Sequence, residues 1–213
     1  MKPTARLDLV LLVPGKDEQE CFDALLSDRA ESLGIRVIQY KILVHPRREP
    51  GCFYEAPDVL QLFLKRADFC LVVLDHEGSG QEERPAHEVK EDLKQRLESS
   101  GWKDRAEVLV LTPELEAWVW SESPHVPDVL GWAGCRPGLR EWLRDQGRWP
   151  ASRPKPGRPK ECLEVALREV RVRRSSAIYR QLAQRVGLER CQDPAFLEFK
   201  QIVQRWFTGR APS

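Results

Sequence analysis

The sequence has no CxxC pair. Its six cysteines, Cys21, Cys52, Cys70, Cys135, Cys162 and Cys191, are scattered along the chain. That argues against a zinc ribbon and for a reduced, intracellular protein. No apolar run approaches the ~20 residues that a membrane-spanning helix needs. The first such run, Leu7 to Val13, contains Asp8 and passes straight into Pro14-Gly15-Lys16-Asp17-Glu18. Lys2 and Arg6 beside it therefore do not make a signal peptide. A cytoplasmic location without membrane association is the expectation. Neither charge is in excess: 34 basic side chains stand against 33 acidic ones, a net +1. Global charge is thus silent on nucleic acid, and only local patches can speak. Internal repeats and low-complexity tracts are also missing. The spacing GxxxxGK[ST] is absent, which excludes a P-loop. His45, His87 and His125 form no metal-ligand spacing with their neighbours.

What is present is enough apolar material for one substantial domain, or one with a smaller part appended, in 213 residues. The chain is organised around Phe69 to Gly80, FCLVVLDHEGSG. Six unbroken apolar residues fit a strand buried on both faces, as in a parallel sheet. Leu7 to Val13, Arg36 to Val44 and Val108 to Leu111 read as three further strands. Helical spacing over Glu18 to Leu33, Asp58 to Ala67 and Pro85 to Ser99 separates them, with Gly34 and Gly101 as stops. His45 to Pro57 reads as a loop. The order βαβαβαβ implies a parallel α/β sheet with right-handed crossovers. Residues 1–112 form this domain, and 113–213 a helical C-terminal region. There a helix starts at Thr112 or Pro113, and others cover Pro137 to Gln146, Lys160 to Val172, Ser175 to Val186 and Pro194 to Phe207. A linker runs from about 151 to 159, where Pro154, Pro156, Gly157 and Pro159 cluster. Ser175 or Ser176 and Asp193 suit helix N-caps.

Chemistry in open α/β sheets collects beyond the carboxyl ends of the strands. Asp75 and Glu77 follow strand three, Glu114 and Glu116 follow strand four, and Asp17, Glu18 and Glu20 follow strand one. Carboxylates gathered on one edge repel unless a cation neutralises them. Mg²⁺ suits such oxygen ligands and would serve phosphoryl chemistry. Asp75, Glu77 and Glu114 are the candidate catalytic residues; Asp75, Glu77 and Glu116 are the candidate metal ligands. Acids at the first turn of a helix also serve the helix itself, so Glu18 and Glu114 have a second, structural reading. Lys16, on the turn after strand one, could meet a phosphate near the helix amides. His76 reads as structural, because strand alternation turns it away from both acids. Arg153 to Arg174 carries eight basic residues against three acidic ones. Within it Arg158, Lys160, Arg171, Arg173 and Arg174 make a candidate surface for nucleic acid or a protein partner. Of the closely spaced Trp118 and Trp120, one could line a cleft while the other is core.

The turn LDHEGSG after an apolar strand, the segment PELEAWVWSESPHV, and the C-terminal SSAIYRQLAQRVGLERCQDPAFLEFKQIVQRWF together resemble the TOPRIM-like proteins of bacterial phage-defence islands. That group includes the small TOPRIM-like component of methylation-associated defence. The resemblance spans most of the chain. It implies a TOPRIM-like (Rossmannoid) sheet of about four strands with a helical C-terminal extension. It also implies Mg²⁺-dependent phosphodiester chemistry in antiviral defence, with other defence proteins and DNA as partners. TOPRIM domains place a glutamate after the first strand and a DxD motif after a later one. Here Pro14-Gly15-Lys16 stands at the first position and Asp75-His76-Glu77 at the second. The change keeps both later carboxylates and removes the first ligand, unless Asp17, Glu18 or Glu114 replaces it. The alternative is a degenerate subunit that keeps the fold and binds DNA or sister proteins. A weaker option is a nucleotide-sensing flavodoxin-like domain using the Gly78-Ser79-Gly80 loop.

Overall fold

The structure, a computed structural model, describes residues 6–189 and 191–208. Lys2 lies outside them. Four strands form one sheet: β1 (Leu7–Val13), β2 (Tyr40–Val44), β3 (Ala67–Asp75) and β4 (Ala106–Leu111). Their order is β2-β1-β3-β4, and every pairing is parallel. The unbroken apolar runs have a simple cause, since both faces are covered. Leu9, Leu11, Val13, Leu71, Val73, Leu109 and Leu111 face one core. Val10, Leu12, Cys70, Val72, Leu74, Val108 and Val110 face the other. The α/β class and the parallel sheet read from the sequence are those of the structure.

Several boundaries differ from the expectation, each for a local reason. The helix expected over Glu18 to Leu33 is two, α1 (Lys16–Asp28) and α2 (Ala30–Leu33), broken at Arg29. The Arg29 guanidinium leaves to donate to the carbonyls of Ala183, Gln184 and Val186, at 3.0, 2.7 and 3.1 Å. β2 starts at Tyr40 rather than Arg36. Arg36 is held by Asp8, and its amide donates to the Phe207 carbonyl, so the chain passes the sheet before joining it. The loop expected at His45 to Pro57 contains α3 (Arg48–Tyr54) and the start of α4 (Ala56–Gln61). Pro50 and Gly51 conceal α3 in the sequence. Pro50 lies in the first turn, where a missing N–H costs nothing. Gly51 is there because a Cβ at that position would lie 1.9 Å from His45 Nδ1. α5 (Ala86–Leu97) runs into a wider turn, Glu98–Trp102, in which Gly101 adopts φ +104°.

After β4 the expected helix is only a 3₁₀ turn, Leu115–Trp118. Glu114 is extended and the Leu115 amide is bound to Asp75. The rest is helical: α6 (His125–Val129), α7 (Leu139–Asp145), α8 (Pro159–Glu169), α9 (Ser176–Arg185) and α10 (Pro194–Phe207). Asp193 caps α10 as expected, accepting from the amides of Ala195 and Phe196. α3, α4 and α5 cover one face of the sheet. α1 and the C-terminal helices cover the other as a single core, in which Phe22 meets Phe199 at 5.0 Å and Trp118 at 5.6 Å. Residues 151–158 have no regular structure but are not a free linker. Trp149 Nε1 donates to the Arg153 carbonyl and Trp120 Nε1 to the Pro159 carbonyl, both at 3.0 Å. Trp118 and Trp120 both pack in this core. All six cysteines are free thiols. Among the described residues no helix is long and apolar enough to cross a membrane.

Candidate functional site: carboxylates at the switch point of the sheet

The strand order creates one special place. The chain leaves β1 by α1 on one face and heads for β2. It leaves β3 by α5 on the opposite face and heads for β4. The two connections diverge, and in open α/β sheets the ligand crevice lies beyond the carboxyl ends of two such adjacent strands.

Asp75 ends β3 at this crevice and is 6% exposed. Its Oδ1 accepts from the Leu115 amide at 3.0 Å. Burial pushes its carboxyl well above the usual range, and Glu18, Glu116, Glu49 and Glu114 push the same way. Glu18 stands across from it, in the first turn of α1, also 6% exposed. Its side chain folds back over Gly15, where a Cβ would lie 2.6 Å from Glu18 Oε2. Burial raises this carboxyl to about 7. A hydrogen bond from its own amide opposes the rise, and Asp17, Glu116 and Glu49 add to it. Glu114 is buried, and its Oε1 accepts from the Lys160 amide at 2.9 Å, in the first turn of α8. Burial and Glu116 raise its pKa.

Glu116 is buried as well, but it is answered. Its Oε1 accepts from the Tyr179 hydroxyl at 2.7 Å and from Arg174 Nη2 at 2.8 Å. The same Nη2 donates to Asp17 Oδ2 at 2.8 Å, and Nη1 lies 3.5 Å from Glu164. Burial still holds the Asp17 carboxyl above its ordinary value despite this partner.

The structure thus brings Asp75, Glu114 and Glu116 together with Glu18 and Glu49. Glu77 is exposed, and only its amide, donating to the Pro113 carbonyl at 3.0 Å, is tied to the rim. It remains close enough to raise the Glu114 pKa. Lys16 is exposed at the start of α1. His76 Nε2 binds the Arg84 carbonyl at 2.8 Å. The basic segment divides. Arg171 and Arg173 are exposed, and Arg158 pairs with Glu161 on the surface. Lys160 offers its amide to Glu114, whereas Arg174, partly exposed, turns its guanidinium to Asp17 and Glu116.

Sequence reasoning undervalued Glu18, and it gave no place to Glu49, Tyr179 or the inward role of Arg174. The signal for Glu18 was a lysine–aspartate–glutamate turn directly after a strand. Nothing in sequence spacing announces Arg174, which is 157 positions from Asp17. Replacing it tests this pairing. Arg174→Met should cost about 2 kcal/mol at neutral pH, because Glu116 loses its counter-charge inside the protein while Arg174 itself is partly solvated. Urea denaturation should show the loss shrinking as the acids become protonated.

Oxygen donors of this kind fit Mg²⁺, which takes one or two carboxylates and fills its shell with water and phosphate. Asp75 and Glu18 are the pair without a basic partner among the described residues. Among the described residues no group of three or more His, Cys, Asp or Glu side chains could hold a metal ion. An ion here would have at most two of these carboxylates as ligands and would fill its shell with water and phosphate. No protein-family model, curated protein or solved structure matches the chain.

Proposed function

We propose that this crevice is a Mg²⁺-dependent phosphodiester site of TOPRIM type, in a cytoplasmic component of antiviral defence. The observation that carries the reading is the pair Asp75 and Glu18: buried carboxylates without a basic partner, one on each side of the switch point. Two such groups repel, and a divalent cation is their natural neutraliser. Bound there, the ion supplies Lewis-acid polarisation of a phosphoryl oxygen. Asp75 and Glu18 hold it in this reading. Glu114, fixed by the Lys160 amide, and the exposed Glu77 flank the approaching substrate. Lys16 meets a phosphate at the tip of β1. Arg171 and Arg173 offer a basic surface for DNA or for another protein of the defence complex.

A second reading has its own support. Arg174 already neutralises Asp17 and Glu116, as expected of a subunit that keeps the fold and only binds. One experiment separates the two. The protein is mixed with plasmid and single-stranded DNA in Mg²⁺, in Mn²⁺ and in EDTA, beside Glu18→Gln. Cleavage that needs the metal and falls in Glu18→Gln supports catalysis. Salt-dependent DNA binding without cleavage, lost on reversing Arg171 and Arg173, supports the binding subunit.

A further inference from the structure

Immediately beyond Asp75 lies a loop that the carboxylate site does not use. Gly78 and Gly80 adopt φ of +86° and +75°. Only glycine takes such angles freely. Their two amides point at one atom: both donate to Glu82 Oε1, at 2.8 and 3.1 Å. Ser79 between them is fully buried, its hydroxyl donating to the His76 carbonyl at 2.7 Å and accepting from the Gln81 amide at 3.1 Å. The His76 ring closes the loop through the Arg84 carbonyl. The result is a concave turn with two N–H groups converging on a single point. That is the arrangement by which backbone amides hold phosphate oxygens. Its occupant is a carboxylate on an exposed side chain, which leaves without exposing any core. Hydrogen bonds from its own amide and from those of Gly80 and Gly78 keep that carboxyl below its ordinary range, so it is an anion at neutral pH.

We propose that the Gly78–Gly80 turn is an oxyanion site for a phosphate group, and that the Glu82 carboxylate is an intramolecular stand-in which the phosphate displaces. The assignment of that phosphate to a phosphodiester substrate rests on the function proposed above. The turn adjoins the carboxylate crevice: Glu49, whose charge reaches both Asp75 and Glu18, lies 3.9 Å from where a Gly78 Cβ would stand. A phosphate held here therefore sits in the turn that directly follows Asp75, next to Glu49.

The test is a titration of the full ¹⁵N-labelled chain with inorganic phosphate in EDTA, following the Gly78 and Gly80 amide resonances. Glu82→Ala removes the stand-in; Glu82→Gln keeps a neutral acceptor and guards against simple loosening of the loop. Both amides should shift saturably. Affinity in Glu82→Ala should be about tenfold above wild type, the factor set by losing a competing charged hydrogen bond, with Glu82→Gln between. Silent amides in both variants, or equal affinity in all three proteins, would overturn the proposal. Because no metal is present, the outcome is independent of Asp75. Phosphate binding without metal-dependent cleavage leaves this site standing and removes the catalytic reading. Cleavage with silent amides does the reverse.

Discussion

Asp75→Asn is expected to lose metal-dependent phosphodiester cleavage and to gain stability. The two effects share one cause. A metal stabilises transition-state charge by several kcal/mol. In the proposed site, losing Asp75 as a metal ligand should therefore cost about a thousandfold in rate. Yet the free protein holds this carboxylate buried, beside Glu18, with one amide as its only hydrogen-bond partner among the described residues. Asparagine can still accept from the Leu115 amide without the charge. Stability should rise by about 2 kcal/mol, the scale of a poorly satisfied buried polar group. Glu18 gives the pH dependence. Its carboxyl keeps its proton to about 7 in the folded chain, against 4.5 as its ordinary value. Between those limits the folded state binds the extra proton. Stability contributed by Glu18 is present below pH 4.5, falls by up to about 3 kcal/mol as pH rises to about 7, and is flat above it. Added Mg²⁺ should restore stability to the wild type at neutral pH and do little for Asp75→Asn. Chemical denaturation at several pH values reads all of this. A variant less stable than wild type in EDTA would show that the Asp75 charge is compensated.

The second large effect belongs to Phe199. It is fully buried where α10 meets α1, 5.0 Å from the Phe22 ring and 6.5 Å from that of Trp118. Phe199→Ala should cost about 3–5 kcal/mol, the range for deleting a buried aromatic ring. The sheet and the C-terminal helices share this core, so they should unfold in one transition. Far-UV circular dichroism and tryptophan fluorescence should then give coincident curves. Separate transitions would mean that residues 1–112 hold together without the helices that follow.

The strands were legible because burial on both faces leaves an unbroken apolar run, and little else in a sequence looks like that. α3 was not legible, because its proline and glycine punctuate the sequence as a turn while occupying positions where helices tolerate them. The carboxylate site was legible by half. Asp75 follows from its place at the end of the central strand. Glu77 suggested itself by nearness in sequence, but the chain turns after Asp75 and leaves that side chain exposed. Glu18 follows a different strand and doubles as a first-turn acid of α1. Only the sheet order, with β1 beside β3, brings it near enough for its charge to act on Asp75. Arg174 looked like one cation in a basic run, and packing of α9 along α1 is what directs it inward.

Arg174 follows Glu116, the acid it neutralises, by 58 positions. A ribosome therefore releases Asp17 and Glu116 well before it releases the arginine that pairs with both. Until the segment leading into α9 emerges, those two carboxylates lack that partner.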